Sequence, residues 1–315
     1  MPMHKQRPIM MKAAAVSAFG PPEVLRVIDL EAPEPGPGEV RVRVKAAGVQ
    51  PADLSVRKGW TPPGATVGQT RIPGNEFAGV VDRVGEGVTG FAPGDEAIGF
   101  RVLNCYAEYV VVPADQLVAK PAGMPWEVAG ALSASGQTAH TALRELGVGE
   151  GDTVLVHAAA GGVGSAAAQL ARAWGATVIG TASPRNHDYL RSLGAIPVAY
   201  GEGLADRVRA LAPQGIHAAL DAAGEDALRA SVELVRDKSR IGTIVSFELA
   251  PLLGVRAIRS QRSAARLSEL VELWRQDRLR VAIRRTFPLE RAADAHRELE
   301  TGHGFGKVVL TINED

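Results

Sequence analysis

Residues 153–185 read TVLVHAAAGGVGSAAAQLARAWGATVIGTASPR. Thr153 to Val156 is a short, wholly apolar strand, a glycine cluster follows, and Val163, Ala167, Leu170, Ala171 and Trp174 then recur at helical spacing up to Gly175. A second apolar strand, Thr177 to Thr181, comes directly after, which completes half of a nucleotide-binding sheet. Glycines at 161, 162 and 164 let the backbone approach a diphosphate closely, and the helix that starts there aims free N–H groups and its positive dipole end at the anion. The usual G-x-G-x-x-G stands here as Ala159-x-Gly161-x-x-Gly164, so the strand-turn-helix context carries part of the reading. A turn that only packs a helix onto a sheet is the weaker alternative, because three glycines fall within four positions. The candidate cradle is Gly161, Gly162, Val163 and Gly164.

About 20 residues past the glycines, a protein that binds NAD places an Asp or Glu against the ribose hydroxyls. This chain has Thr181-Ala182-Ser183-Pro184-Arg185-Asn186, with no carboxylate before Asp188. A hydroxyl at Ser183 and a guanidinium at Arg185 suit a 2′-phosphate, so the expected cofactor is NADPH over NADH. Against this stands a reading of Arg185 as a solvated helix-start residue.

At 315 residues the chain is long enough for two domains with separate cores. Lysine plus arginine balances aspartate plus glutamate at 35 each, so no global field favours nucleic acid or an anionic membrane, and small molecules are the expected partners. Cys105 is the only cysteine, which excludes intrachain disulfides and fits a reducing cytoplasm. No apolar run approaches a membrane span. The first ten residues, MPMHKQRPIM, lack a signal-peptide core and read as a loose tail.

From Met11 to about Pro121 the pattern is β throughout. Val40, Val42 and Val44 alternate with Arg41, Arg43 and Lys45 as a half-buried strand; Phe77 to Val84 and Tyr106 to Val112 are further strands, and turn signals recur as in a barrel or sandwich. Beyond Pro121, helices are expected at 126–132 and 139–146. After Arg185 strands near 196–200, 217–220 and 240–247 alternate with helices, which implies a parallel sheet covered on both faces. The tail carries helices at 264–274 and 289–299 and a closing strand at 307–312, expected to return to the N-terminal domain.

Several phrases resemble one family. MKAAAVSAFGPPEVLRV at 11–27, PEPGPGEVRVRVKAAGV at 33–49, GNEFAGVVDRVGEGVTGFAPGDEAIG at 74–99, YAEYVVVPADQL at 106–117, the glycine motif, and FGKVVL at 305–310 are similar to the medium-chain dehydrogenase/reductases, in wording closest to the zinc-independent quinone oxidoreductase branch. The resemblance implies an α/β fold. A GroES-like, β-rich catalytic domain (1–125, joined by 265–315) would accompany a Rossmann domain with a doubly wound parallel sheet for NADPH (126–264), with a cleft between them and a homodimer.

Zinc-using relatives carry Cys, His and Cys where Gln50, Asn75 and Ala134 stand, so no metal site is expected. Without a Lewis acid the substrate must be easy to reduce, and quinones and α,β-unsaturated carbonyls qualify. The resemblance further places Gln50 at the nicotinamide end, Thr138 and Tyr200 against the cofactor, and Ser246 and Phe247 beside the nicotinamide. Ser55 stands where many relatives have a tyrosine, Asn186 where many have Lys, and Phe305 where many have a basic residue, so the proton donor and the 2′-phosphate grip depart from the family pattern. Cys105 reads as a small packing residue ahead of a redox one, since nothing in the sequence lowers its pKa, and Tyr106 reads either as a core strand aromatic or as a pocket-lining one.

Two other readings stay open. One is an enoyl reductase on a specific biosynthetic intermediate; were that carrier-bound, Arg256, Arg259, Arg262 and Arg266 would supply a basic rim, unless they form an ordinary solvated helix face. The other is a non-enzymatic NADPH-binding redox sensor.

Overall fold

The computed structural model describes residues 8–302 and 304–312. The tail expected over the first ten residues lies, up to residue 7, outside the described residues; Met10 already opens the strand Met10–Val16. The chain divides into two compact units. One runs to Ala134, resumes at Ile283 and takes the chain back at Lys307; the other comprises Ser135–Ala282 with Gly304–Gly306. Residues 126–134 therefore belong to the first unit and 265–282 to the second, where sequence boundaries at 125 and 264 had assigned them the other way.

The first unit is built on the strand Glu39–Val49. It pairs antiparallel with Glu76–Val84, with Tyr109–Pro113 and with the closing strand Lys307–Thr311, whose Val308 faces Val49 and Leu310 faces Ala47. Glu96–Phe100 and Leu117–Ala119 extend the sheet on one side and Ile283–Pro288 on the other, while Met10–Val16 and Leu25–Glu31 form a separate pair. Val40, Val42, Val44, Phe77, Val110 and Leu310 fill its core. Their alternation along each strand is the physical origin of the sheet's buried face.

Two expectations fail in this unit. Arg41 is buried rather than solvent-facing, because its strand is paired on both sides; its guanidinium meets Asp82 at 2.5 Å and Glu34 at 2.7 Å. The stretch is also not β throughout. Pro51–Arg57 is a helix, started by a proline whose fixed φ suits the first turn and by Asp53, which accepts the Gln50 N–H at 2.8 Å.

The second unit holds six parallel strands. Their spatial order is Ile196–Val198, Thr177–Thr181, Thr153–Val156, Ala218–Asp221, Ile241–Thr243 and Arg256–Ala257. In sequence terms the third strand lies outermost on one side and the order reverses at the first, which is the doubly wound arrangement. Leu155, Ile179, Val208, Ala219, Leu228 and Ile241 pack strands and crossover helices together. The strand expected over 240–247 stops at Thr243, and the helix expected from 139 begins at Ser133. Arg256, Arg259, Arg262 and Arg266 share no helix face: only Arg266 lies in the helix Ala264–Arg275, and Arg256 is in a two-residue strand.

Candidate functional site

Every parallel strand ends at the same edge of its sheet, and the expected cofactor residues other than Thr138 follow those ends. Gly161–Gly164 come after Thr153–Val156, Ser183 and Arg185 after Thr177–Thr181, Tyr200 after Ile196–Val198, and Ser246 and Phe247 after Ile241–Thr243. In open parallel sheets ligands bind outside these carboxyl ends, beside the strand where the order reverses.

The turn is shaped by steric demand. Ala158 takes a left-handed φ of 52°, Gly161 caps the helix Gly162–Ala173, and the Gly161 N–H reaches the Ala158 carbonyl at 3.0 Å. A Cβ on Gly164 would lie 2.2 Å from that carbonyl oxygen and 2.7 Å from the Cα of Ala159, so only glycine fits where the helix crosses the loop. A Cβ on Gly161 would come no nearer than 3.3 Å.

Neighbouring side chains hold the loop. Thr181 Oγ1 accepts the Ala158 N–H at 3.1 Å, and the buried His157 ring lies 2.9 Å from the Ser231 hydroxyl. Burial lowers the His157 pKa to about 4, against a raising influence of Asp221, so the ring is neutral at physiological pH. Ser183 is half-buried as the cap of the short turn Pro184–Asn186, on which Arg185 is exposed. Tyr200 is 63% exposed. Thr138 is half-buried within the helix Ser133–Glu145.

Sequence reasoning missed Asp221, the organiser of the fourth and fifth strand ends. One carboxylate oxygen accepts the N–H groups of Ala223 and Gly224 at 2.8 Å each; the other accepts the hydroxyls of Thr243 at 2.7 Å and Ser246 at 3.2 Å. Thr243 in turn accepts the Ser246 N–H at 2.8 Å, which bends the chain out of the strand. The Ser246 hydroxyl is thus committed to this turn, and Phe247 carries the Arg259 guanidinium 4.7 Å from its ring centre. The available signal was an aspartate directly after an apolar strand and three residues before Gly224.

The first unit holds a buried polar centre of its own. Glu76 Oε1 accepts the Gln50 amide and the Lys307 ammonium, the latter at 2.9 Å, while Oε2 accepts the Ala134 N–H at 2.6 Å. A Cβ on Gly48 would lie 2.0 Å from Glu76 Oε1, so the carboxylate occupies room that a side chain would take. Three residues beyond Gln50, Asp53 accepts the Tyr106 hydroxyl at 2.8 Å, the Gln50 N–H at 2.8 Å and the Gly74 N–H at 3.1 Å. Burial pushes the Asp53 carboxyl up to about 6, in spite of these hydrogen bonds. Tyr106 is therefore a polar partner as well as a packing residue. Ser55, on the same helix as Asp53, is exposed and donates back to the Pro51 carbonyl at 3.4 Å. Cys105 is buried.

Among the described residues no three His, Cys, Asp or Glu side chains gather where they could hold a metal ion. A surface cavity of about 470 Å³ lies in the first unit against Phe19, Pro21, Arg57, Lys58 and Glu300, and none of the expected site residues lines it. No helix among the described residues is long and apolar enough to cross a membrane.

A β-rich unit with a buried polar centre and a second unit with a doubly wound parallel sheet and a glycine-lined turn together define the two-domain architecture of a dehydrogenase. Residues 36–122 match the model of the alcohol dehydrogenase GroES-like domain, and residues 193–310 match that of the zinc-binding dehydrogenase. A quinone oxidoreductase of Pseudomonas aeruginosa is 35% identical over 330 aligned positions, covering 96% of this chain and 99% of that protein. Among solved structures, the quinone oxidoreductase of Coxiella burnetii superposes with a TM-score of 0.86 at 34% identity, over 97% of this chain and 100% of the other. A mycobacterial protein solved in complex with NADPH gives 0.85 at 31% identity, over 96% and 99%. The chain belongs to the medium-chain dehydrogenase/reductase superfamily, in its quinone oxidoreductase branch, and is an oxidoreductase.

Proposed function

We propose that the chain is an NADPH-dependent reductase that delivers hydride to a quinone or an α,β-unsaturated carbonyl. The observation that carries this reading is the pairing of a turn only glycine can form at 164 with a second-strand end that offers Ser183 and Arg185 and no carboxylate. Those residues fit a dinucleotide bearing a 2′-phosphate: Gly161, Gly162, Val163 and Gly164 bring backbone N–H groups to the diphosphate, and Arg185 supplies paired donors. When bound, the reduced nicotinamide supplies the hydride.

The remaining work falls to the chain. Thr138 and Tyr200 orient the cofactor, and Phe247 with Ser246, whose hydroxyl Asp221 holds in the turn, borders the nicotinamide. Gln50, fixed at its helix start by Asp53 and Glu76, hydrogen-bonds the acceptor oxygen that gains charge, and the exposed Ser55 hydroxyl exchanges protons with solvent. Gln50, Asn75 and Ala134 stand at the positions where zinc-using relatives carry ligands, so the reading is zinc-independent. It includes a homodimer, for which sedimentation velocity is the check, and a cytoplasmic location, which fractionation of cells that express the chain would test.

The test is oxidation of NADPH, and separately NADH, by purified protein with 1,4-benzoquinone, 9,10-phenanthrenequinone and a simple enone, with and without a chelator. Turnover that prefers NADPH and ignores the chelator supports the reading. Turnover abolished by the chelator and restored by zinc removes its zinc-independent part, and preference for NADH removes the cofactor assignment.

A further inference from the structure

Gly304–Gly306 precedes the closing strand of the first unit in sequence but packs onto the second. Three contacts fix it there. The Gly306 N–H donates to the Ala160 carbonyl in the glycine-lined turn at 3.3 Å, and the Asn186 amide donates to the Gly304 carbonyl at 3.4 Å. Between them the Phe305 ring stacks on Tyr189, with centroids 4.1 Å apart and planes 17° from parallel.

The backbone is built for this placement. Gly304 and Gly306 have φ of 92° and 81°, a region closed to most side chains, and a Cβ on Gly306 would lie 2.5 Å from the Ala282 carbonyl oxygen. Two left-handed glycines therefore present the residue between them as a bracket. That residue is an aromatic ring left 42% exposed although one face is covered.

What lies beside the open face identifies an occupant. The bracket touches both the glycine-lined turn, which takes the diphosphate, and the Ser183–Asn186 turn, which takes the ribose phosphate. The adenosine half of a dinucleotide spans those two features, and its base is a flat π-system. We propose that Phe305, backed by Tyr189, is the platform on which the adenine base stacks. The proposal rests on the dinucleotide reading above and adds that affinity for the adenosine half comes from an aromatic pair that ignores the 2′-phosphate. Discrimination between NADPH and NADH then falls to the Ser183 and Arg185 turn, with Arg185 supplying the charge.

Isothermal titration calorimetry with NADPH, NADH, ADP-ribose and nicotinamide mononucleotide on the full chain tests this. Stacking of a base on an aromatic ring corresponds to about five- to hundredfold in affinity. Phe305→Ala should weaken NADPH, NADH and ADP-ribose by one common factor in that range and leave the mononucleotide unchanged, while Phe305→Tyr restores wild-type binding. Arg185→Ala should weaken NADPH alone. A Phe305→Ala chain that is folded by circular dichroism and binds all three adenosine ligands as before, or that loses only NADPH, overturns the proposal. A wild-type chain that binds neither dinucleotide overturns the parent reading and this proposal with it.

Discussion

Lys307 Nζ lies 2.9 Å from Glu76 Oε1 with both side chains buried, and the two residues are 231 positions apart in sequence. Removing one member of such a pair strands the other charge away from water, which costs about 3–5 kcal/mol. Lys307→Met should therefore lower the free energy of urea unfolding by about that amount. The double variant with Glu76→Gln should recover most of the loss. Equal losses in single and double variants would show that packing of the lysine stem, not charge, matters at this position.

Asp53 makes stability depend on pH with a definite sign. Its carboxyl is raised from an unfolded value of 3.8 to about 6, so the folded state binds its proton more tightly than the unfolded chain does. The stabilising contribution is fully present below about 3.8 and is lost as pH rises through 6. Relative to Asp53→Asn, which cannot ionise, the wild-type chain should lose about 3 kcal/mol between those limits. Unfolding free energies of both proteins at several pH values from 4 to 7 check this, and parallel curves would contradict it.

His157 works in the opposite direction. Burial lowers its pKa from 6.5 to about 4, so its neutral form stabilises the fold above 6.5 and that contribution disappears as pH falls through 4. His157→Gln should flatten the acid side of the stability profile. NMR titration of the wild-type ring should give a midpoint well below that of an exposed histidine.

The glycines of the turn should separate cleanly. Gly164→Ala forces a Cβ against the Ala158 carbonyl and should cost about 1–3 kcal/mol of stability together with loss of dinucleotide binding. Gly161→Ala puts its Cβ 3.3 Å from the same carbonyl, a tight contact that a shift of a few tenths of an ångström relieves, and its φ of −76° suits any residue, so it should cost the fold far less than Gly164→Ala. Thermal melts and NADPH titration of the two variants provide the comparison.

The alternation of apolar strands and amphipathic helices after Thr153 was legible because each element there obeys a local period, and the Gly161–Gly164 turn because its residue types answer a steric need. What escaped were consequences of pairing at a distance. Arg41 alternates with valines as a solvent-facing residue would, and only a strand paired on both sides, with Asp82 and Glu34 in reach, explains its burial. The helix Pro51–Arg57 spans seven residues, too short for its period to stand out in a β-rich stretch. The strand ending at Thr243 was read four residues too long because the apolar run continues, whereas Asp221 draws Thr243 and Ser246 into a turn. Likewise Glu76 and Lys307 each stand within a recognisable motif, GNEFAGVV and FGKVVL, yet nothing local says that they meet.

Hydride transfer from NADPH to an easily reduced acceptor is the central step of the proposed reaction. The direct measurement is a single-turnover mixing experiment: protein loaded with NADPH, either ordinary or deuterated at the transferred position, is mixed with 9,10-phenanthrenequinone in chelator-containing buffer while NADPH absorbance is followed. Absorbance should fall in one turnover, slowed by deuterium and unaffected by the chelator. Tightly bound NADPH that stays reduced in the presence of the quinone and of the other acceptors would contradict the proposed reaction.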